Sequence, residues 1–290
     1  MVFNAGGCVM ARIVKGPGRS AGLVDNPLGF AVADRDAATI AMVRDALDQG
    51  RTLLAFQPVV QTNRPDRPAF WEALIRVADR NGRIIPARDF IDAVEATEIG
   101  RRLDTAALAD ALRILAEVPD LRLSVNMSAR SIGNPDWMRT LRAGIDRHPT
   151  VAERLILEIT ERSAIVVPDH VRAFMAEFQV MGVSFALDDF GSGYTSLQYL
   201  RDFYFDILKI DSQFIQDIHA SPDNQVLVRA IVALARHFDM FTVAEHVETT
   251  EDAEYLSAND VDCMQGHYFG PATTRPPWSP LVPPGAIRYA

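Results

Sequence analysis

Eight short apolar runs follow one another along the chain, and most finish on a carboxylate, an amide or a lysine. The polar residues, in order, are Gln57, Glu72, Asn126, Glu158, Asp188, Lys209, Glu245 and Gln265. Short runs rich in branched residues read as strands at 52–60, 70–77, 121–127, 155–160, 183–188, 207–210, 241–244 and 262–266. Helical periodicity lies between them, most clearly at 104–118 (Leu108, Leu112, Leu115) and 224–238 (Leu227, Ile231, Leu234, Phe238). Strands alternating with helices predict an α/β fold, and eight of them a (β/α)8 barrel that gathers its strand ends at one rim. The first two strands have only a proline-containing turn, 61–67, between them. That is too short for a parallel crossover, so the expected fold is a modified TIM barrel with an antiparallel first strand.

Side-chain parity places the polar groups on one side. Alternate residues of a strand share a face. Ile207, Lys209 and Asp211 oppose Leu208 and Ile210, Ser124 and Asn126 oppose Leu123 and Val125, and Ser184, Ala186 and Asp188 oppose Phe185 and Leu187. The polar set therefore points inward, near the carboxyl ends of the strands, where barrels of this kind place their chemistry.

With 290 residues, 48% of them hydrophobic, the chain can build one large core. Gly6, Gly7, Gly16, Pro17, Gly18, Gly22, Pro27 and Gly29 make residues 1–35 an irregular N-terminal arm. A first helix is expected after Asp36, and residues 36–290 form the barrel domain, with a Pro-rich tail at 276–290. A net charge of −9 argues against a nucleic-acid polymer or an anionic membrane as partner, and no apolar stretch reaches the length of a membrane span. Two cysteines far apart, Cys8 and Cys263, suggest neither a disulfide framework nor a zinc site, which points to the cytoplasm.

Glu72, Asn126, Glu158, Asp188 and Asp189 would bring four carboxylates and an amide oxygen to one rim. Such a group is stable only when protonated or bound to cations, and hard oxygen donors favour magnesium or manganese. The adjacent pair Asp188-Asp189 could serve two ions, an arrangement suited to in-line attack of water on a phosphodiester. Lys209 would then hold the attacking water or stabilise charge on the phosphate, and Arg76, on the parity of Glu72, could grip a phosphate. Each residue has a plainer reading. Asn126 could cap the next turn, Lys209 could be a core lysine paired with Asp188 or Asp211, and Arg76 could form a surface ion pair. Lys209 could also be the Schiff-base lysine of an aldolase-like barrel, although that chemistry has no use for so many carboxylates. The six histidines show no metal-binding spacing, and His148, His170, His219 and His237 read as surface or helix residues. Gly191 and Gly193 mark either an ordinary turn or a mobile loop that carries Asp189.

Taken together, the motifs resemble those of the EAL domain family of cyclic di-GMP phosphodiesterases. Glu72-Ala73-Leu74-Ile75-Arg76 resembles the signature that names the family. Phe56-Gln57-Pro58, Val125-Asn126-Met127-Ser128, Leu157-Glu158-Ile159-Thr160-Glu161, Asp188-Asp189-Phe190-Gly191, Leu208-Lys209-Ile210-Asp211, Ala244-Glu245-His246-Val247-Glu248 and Gln265-Gly266 follow in family order. The resemblance covers roughly residues 37–275. It implies hydrolysis of cyclic di-GMP to linear pGpG with two Mg2+ or Mn2+ ions, with calcium inhibitory, by a homodimer that could also answer to a regulatory partner. By the same resemblance Glu72, Asn126, Glu158 and Asp188 bind metal and Asp189 reaches the second ion. Lys209 contacts the nucleophilic water, Glu245 lies near the metals, and Gln265 completes the site. Gln57 and Arg76 meet the substrate, and Glu161 steadies the loop after Asp189. Members that have lost such residues act as receptors, which is the alternative reading here. His246 stands where the family usually has glycine, which predicts lowered activity.

Overall fold

The computed structural model describes residues 27–192 and 197–279. The start of the N-terminal arm, the loop residues 193–196 and the tail from 280 onward, for which the sequence raised expectations, lie outside the described residues. The chain divides between Ala38 and Thr39 into two units, and the barrel belongs to the second. Helix α1 (Pro27–Asp48) precedes β1 (Thr52–Gln61), β2 (Arg64–Ala78), β3 (Ile84–Pro86), α2 (Ile91–Val94), α3 (Glu98–Glu117), β4 (Leu123–Asn126) and α4 (Pro135–Arg147). Then come β5 (Leu155–Thr160), α5 (Glu161–Val166), α6 (Pro168–Gln179), β6 (Ser184–Phe190), α7 (Leu197–Asp202), β7 (Ile207–Ile210) and α8 (Ser212–Ile215). Helix α9 (Pro222–His237), β8 (Phe241–Ala244), α10 (Thr250–Ala258) and β9 (Cys263–Gln265) complete the order.

Eight strands close a ring in the order β1-β9-β8-β7-β6-β5-β4-β2, sealed by the β1–β2 pairing, with β3 added to β2. Strand β1 runs antiparallel to both its neighbours, and the other ring pairings are parallel. The modified barrel with a reversed first strand is therefore the fold of this chain.

Several boundaries differ from expectation, each for a local reason. The turn between the first strands is only Thr62 and Asn63, because β2 already begins at Arg64. Its prolines, Pro65 and Pro68, sit where the register slips between Val59 and Gln61, so no regular ladder hydrogen bond is lost there. Strand β3 is three residues long and pairs with the end of β2, too short to show a period. Helix α1 starts at Pro27 rather than after Asp36. Proline at the first helical position has the right φ and lacks only an N–H that has no helical partner. Helix α3 starts at Glu98, where the Thr97 hydroxyl accepts from Ile99 N–H.

The parallel strands are covered on both faces, which is why they read as apolar runs rather than as alternation. Their outer face packs against the helices through Leu108, Leu112 and Leu115 of α3, Trp137 of α4 and Phe174 of α6, among others. The inner face of the ring, β1 included, fills the barrel with Val59, Phe70, Ile156, Ala186, Ile207, Val243 and Cys263. This apolar plug is the floor of the rim.

Asp104 lies on the buried stripe of α3, one residue beyond Leu103. Its carboxylate accepts from Ser128 N–H at 3.2 Å and from the Ser131 hydroxyl at 2.6 Å, which fixes the turn that follows Asn126. Burial pushes this carboxyl up from 3.8 to about 6. The neutral form is thus favoured by folding. Its contribution to stability is full below about pH 4 and is lost as pH rises through about 6. Asp104→Asn keeps the acceptor and removes the charge. At pH 7.5 it is expected to raise the unfolding free energy by about 2 kcal/mol. The gain should shrink towards pH 5, and urea titrations at the two pH values check it.

Gly266 follows β9 directly. A Cβ there would lie 2.0 Å from Val247 O, because the Val247 backbone passes directly over the glycine. Val247 N–H donates to Gln265 O at 3.0 Å, and Tyr268 N–H donates to Val247 O at 3.2 Å. Gly266→Ala is expected to destabilise the fold by about 3 kcal/mol, read as a drop in the urea midpoint. An unchanged midpoint would show that the two segments separate freely.

Candidate active site

Each ring strand carries a rim residue two positions from a floor residue of the same parity. The pairs are Gln57 with Val59, Glu72 with Phe70, Asn126 with Ser124, Glu158 with Ile156, Asp188 with Ala186, Lys209 with Ile207, Glu245 with Val243 and Gln265 with Cys263. Gln57 precedes its floor partner because β1 is reversed. It lies opposite Glu72 within β1, not at the end of its strand as the sequence suggested.

Lys209 is the centre of the rim and is 1% exposed. Its Nζ lies 2.7 Å from Glu158 Oε2, 2.7 Å from Glu245 Oε1, 3.1 Å from Asp188 Oδ1 and 3.7 Å from Glu72 Oε2. Asp211, the other partner considered for it, instead caps the next turn by accepting from Gln213 N–H. Asn126 Nδ2 donates to Glu72 Oε1 at 2.8 Å, and Gln265 Nε2 donates to Glu72 Oε2 at 2.6 Å. Ser128, not Asn126, caps the turn after β4 by accepting from Arg130 N–H. Gln265 Nε2 also lies 3.2 Å from Gln57 Oε1, and Gln57 Nε2 donates to Gly270 O. Gln57, Glu72, Asn126, Glu158, Asp188, Lys209, Glu245 and Gln265 are thus one connected cluster.

Asp189 reaches the same place by a backbone irregularity. In an extended strand it would face away from Asp188. Instead it takes φ 55°, and the β6–β7 register breaks between Leu187 and Phe190. Aspartate tolerates this left-handed conformation better than most residues. Ligand atoms of Asp188, Asp189 and Glu245 then lie within 4.8 Å of one another. Gly191 N–H donates to Glu161 Oε2 at 3.2 Å, tying the chain after Asp189 to the start of α5. His246, beside Glu245, is exposed and takes φ 56°. Arg76 is half-buried above the rim and donates to Ile75 O at 3.0 Å, outside the cluster of contacts around Lys209.

One ammonium faces four carboxylates, a net of −3 if all are ionised. Burial pushes the Glu158 carboxyl up to about 8, and burial raises Glu245 well above the carboxylate range. Burial and the Asp188 charge raise Asp189 to about 6. Burial also acts on Glu72, but the Lys209 charge and the bonds from Gln265 and Asn126 outweigh it and hold Glu72 low. Burial works against the charge on Lys209 too, yet its carboxylate neighbours keep it firmly an ammonium. A Schiff-base lysine needs the opposite, a neutral amine.

Glu158 Oε1 and Gln265 Oε1 are buried and accept no hydrogen bond, and Asp188 Oδ1, also buried, has only the ion pair to Lys209 at 3.1 Å. Buried acceptors without donors are costly. Oxygens left open in a pocket of excess negative charge fit a hard divalent cation. Beside Asp189 a cleft of about 680 Å³ opens, lined in part by Ser128, Arg130, Thr160, Arg162, His170 and Ser192. Two supporting residues escaped the sequence reading. Asp104 left a signal, an acidic residue in register with Leu108, Ala111 and Leu115 on the buried stripe of α3. Gln213, which donates to Gly191 O at 2.8 Å, left none, since an exposed glutamine after a strand reads as surface.

The EAL domain model matches residues 40–272. Among curated proteins the chain is 31% identical over 231 residues to the cyclic di-GMP phosphodiesterase PdeR of Escherichia coli, covering 78% of this chain and 35% of that protein. It is 32% identical over 232 residues to the cyclic di-GMP phosphodiesterase NbdA of Pseudomonas aeruginosa, covering 78% and 30%. The chain thus spans about a third of the length of these relatives. Among solved structures, the PaMucR phosphodiesterase in complex with c-di-GMP is 30% identical with a TM-score of 0.74, covering 81% of this chain and 97% of that one. The Xanthomonas citri FimX EAL domain in complex with c-diGMP is 26% identical with a TM-score of 0.75, covering 84% and 96%. The rim, its order along the strands and these likenesses agree: the chain belongs to the EAL domain family.

Proposed function

We propose that this chain hydrolyses cyclic di-GMP to linear pGpG at the barrel rim, with two magnesium or manganese ions. The observation that carries the reading is a set of buried oxygens, without a donor on Glu158 and Gln265 and with only an ion pair on Asp188, around an ammonium that cannot neutralise its carboxylates alone. Glu72, Asn126, Glu158 and Asp188 would hold one ion, and Asp189 and Asp188 the other. Bound there, the ions would supply positive charge for the phosphate and lower the pKa of water.

The side chains have separable tasks. Lys209 stays protonated, so it acts as a donor: it orients the attacking water and stabilises charge developing on the phosphate. Glu245, 2.7 Å from Lys209, fixes the direction of that ammonium and lies beside the Asp188-Asp189 pair. Gln265 and Asn126 hold Glu72 by donating to its two oxygens, which fixes the carboxylate's orientation. Gln57 and Arg76 border the rim on β1 and β2, in reach of a nucleotide lying over it. Calcium in place of magnesium or manganese arrests turnover in this reading, and the acting species is a cytoplasmic homodimer.

Purified protein with manganese is expected to convert cyclic di-GMP to pGpG, and Glu72→Ala to lower the rate at least about 100-fold, with products separated by chromatography. Wild type that leaves cyclic di-GMP intact over hours would sink the enzyme reading. Saturable nucleotide binding without turnover would make the chain a receptor. The left-handed backbone at His246 generates a second expectation, since that conformation costs a residue with a Cβ about 1 kcal/mol or more. His246→Gly is expected to raise both thermal stability and turnover. A variant no faster than wild type would show that Glu245 is already well placed.

A further inference from the structure

Gly191 is held by both of its backbone groups. Its N–H donates to Glu161 Oε2 from the β5 side, and its C=O accepts from Gln213 Nε2 at 2.8 Å from the β7 side. The aromatic ring of Phe214 occupies the space that only glycine leaves, because a Cβ on Gly191 would lie 2.4 Å from Phe214 Cε2. Gly191 also takes φ 93°, a conformation foreign to other residues. Gln213 is itself fixed at both backbone groups. Asp211 Oδ1 accepts from its N–H at 2.9 Å, and its C=O accepts from Asn224 Nδ2 at 3.0 Å, in the first turn of α9. The strand that delivers Lys209 to the carboxylates is therefore followed, in the short helix α8, by a side chain that grips the segment carrying Asp189.

We propose that Gln213 is a positioning residue: by holding the Gly191 carbonyl it sets where Asp189 meets the rim, and so tunes cation affinity at the Asp188-Asp189-Glu245 corner. This rests on the metal-dependent reading above. Glu161 fixes the same glycine from the opposite flank, so loss of one hold leaves the residue free to swing about the other. Asp189, two residues away and already in a left-handed turn, follows that swing. Glu72, Glu158 and Asp188, which meet Lys209 from within strands, do not.

The test uses the full chain with Gln213→Met, which keeps length and removes the donor, and Gln213→Glu, which keeps shape but cannot donate. Two readouts are taken: Mn2+ binding by titration, and hydrogen exchange of the peptide spanning residues 190–192 in metal-free protein. Both variants are expected to weaken Mn2+ binding about 3- to 10-fold and to speed exchange at 190–192. The metal-free melting midpoint should stay put, and the rate should recover at saturating manganese. Unchanged Mn2+ affinity and unchanged exchange would overturn the proposal. So would a fall in affinity accompanied by an equal general loss of thermal stability. If wild type binds no Mn2+ while the variants still exchange faster, the clasp stands and the metal-dependent reading has failed.

Discussion

A buried ammonium surrounded by carboxylates organises this molecule. Lys209 is almost fully out of water, and removing a charge from water costs several kcal/mol unless partners replace the solvent. Four strands supply those partners, so β2, β5, β6 and the end of β8 must all arrive at the same height around β7. The apolar floor two residues below sets that height. A slip of one residue in any of these strands would put an acid into the outer core and an aliphatic side chain against the ammonium. The electrostatics and the barrel register therefore enforce each other.

Much of this was legible in the chain. Polar residues recurring on successive strands, together with inward parity, placed Glu72, Asn126, Glu158, Asp188 and Lys209 on one face, although Glu72 lies within β2 rather than at its end. The short link after β1 revealed its reversed direction. What sequence could not supply depends on geometry with no periodic signature. Asp189 would be on the wrong face by parity, and only a left-handed residue and a broken register bring it to the rim. Strand β3 is too short to alternate. Gln213 reaches its partner across a loop, and nothing in the residues around it marks that contact.

The supporting structure is graded in the same order as its burial. Glu72, Glu158 and Gln265 are locked by hydrogen bonds between strands deep in the barrel. Asp189 and Glu245 sit where the strands end and are positioned by turns, namely the Gly191 hold and the His246 backbone. The strand-borne groups are thus fixed by the barrel, and the turn-borne groups by local backbone geometry. Among the described residues no helix is long and apolar enough to cross a membrane.

The reversal of β1 also determines where force enters. Arg76 and Val77, above the rim on β2, lie opposite Leu53 and Thr52. The polypeptide thus comes into the barrel at its mouth and descends, whereas in a barrel whose strands all ran one way it would begin at the floor. Arg51 therefore stands on the mouth side of the barrel, at the head of the strand whose Gln57 lies opposite Glu72. Whatever moves the backbone there meets the open, polar side of the barrel before it meets the apolar floor.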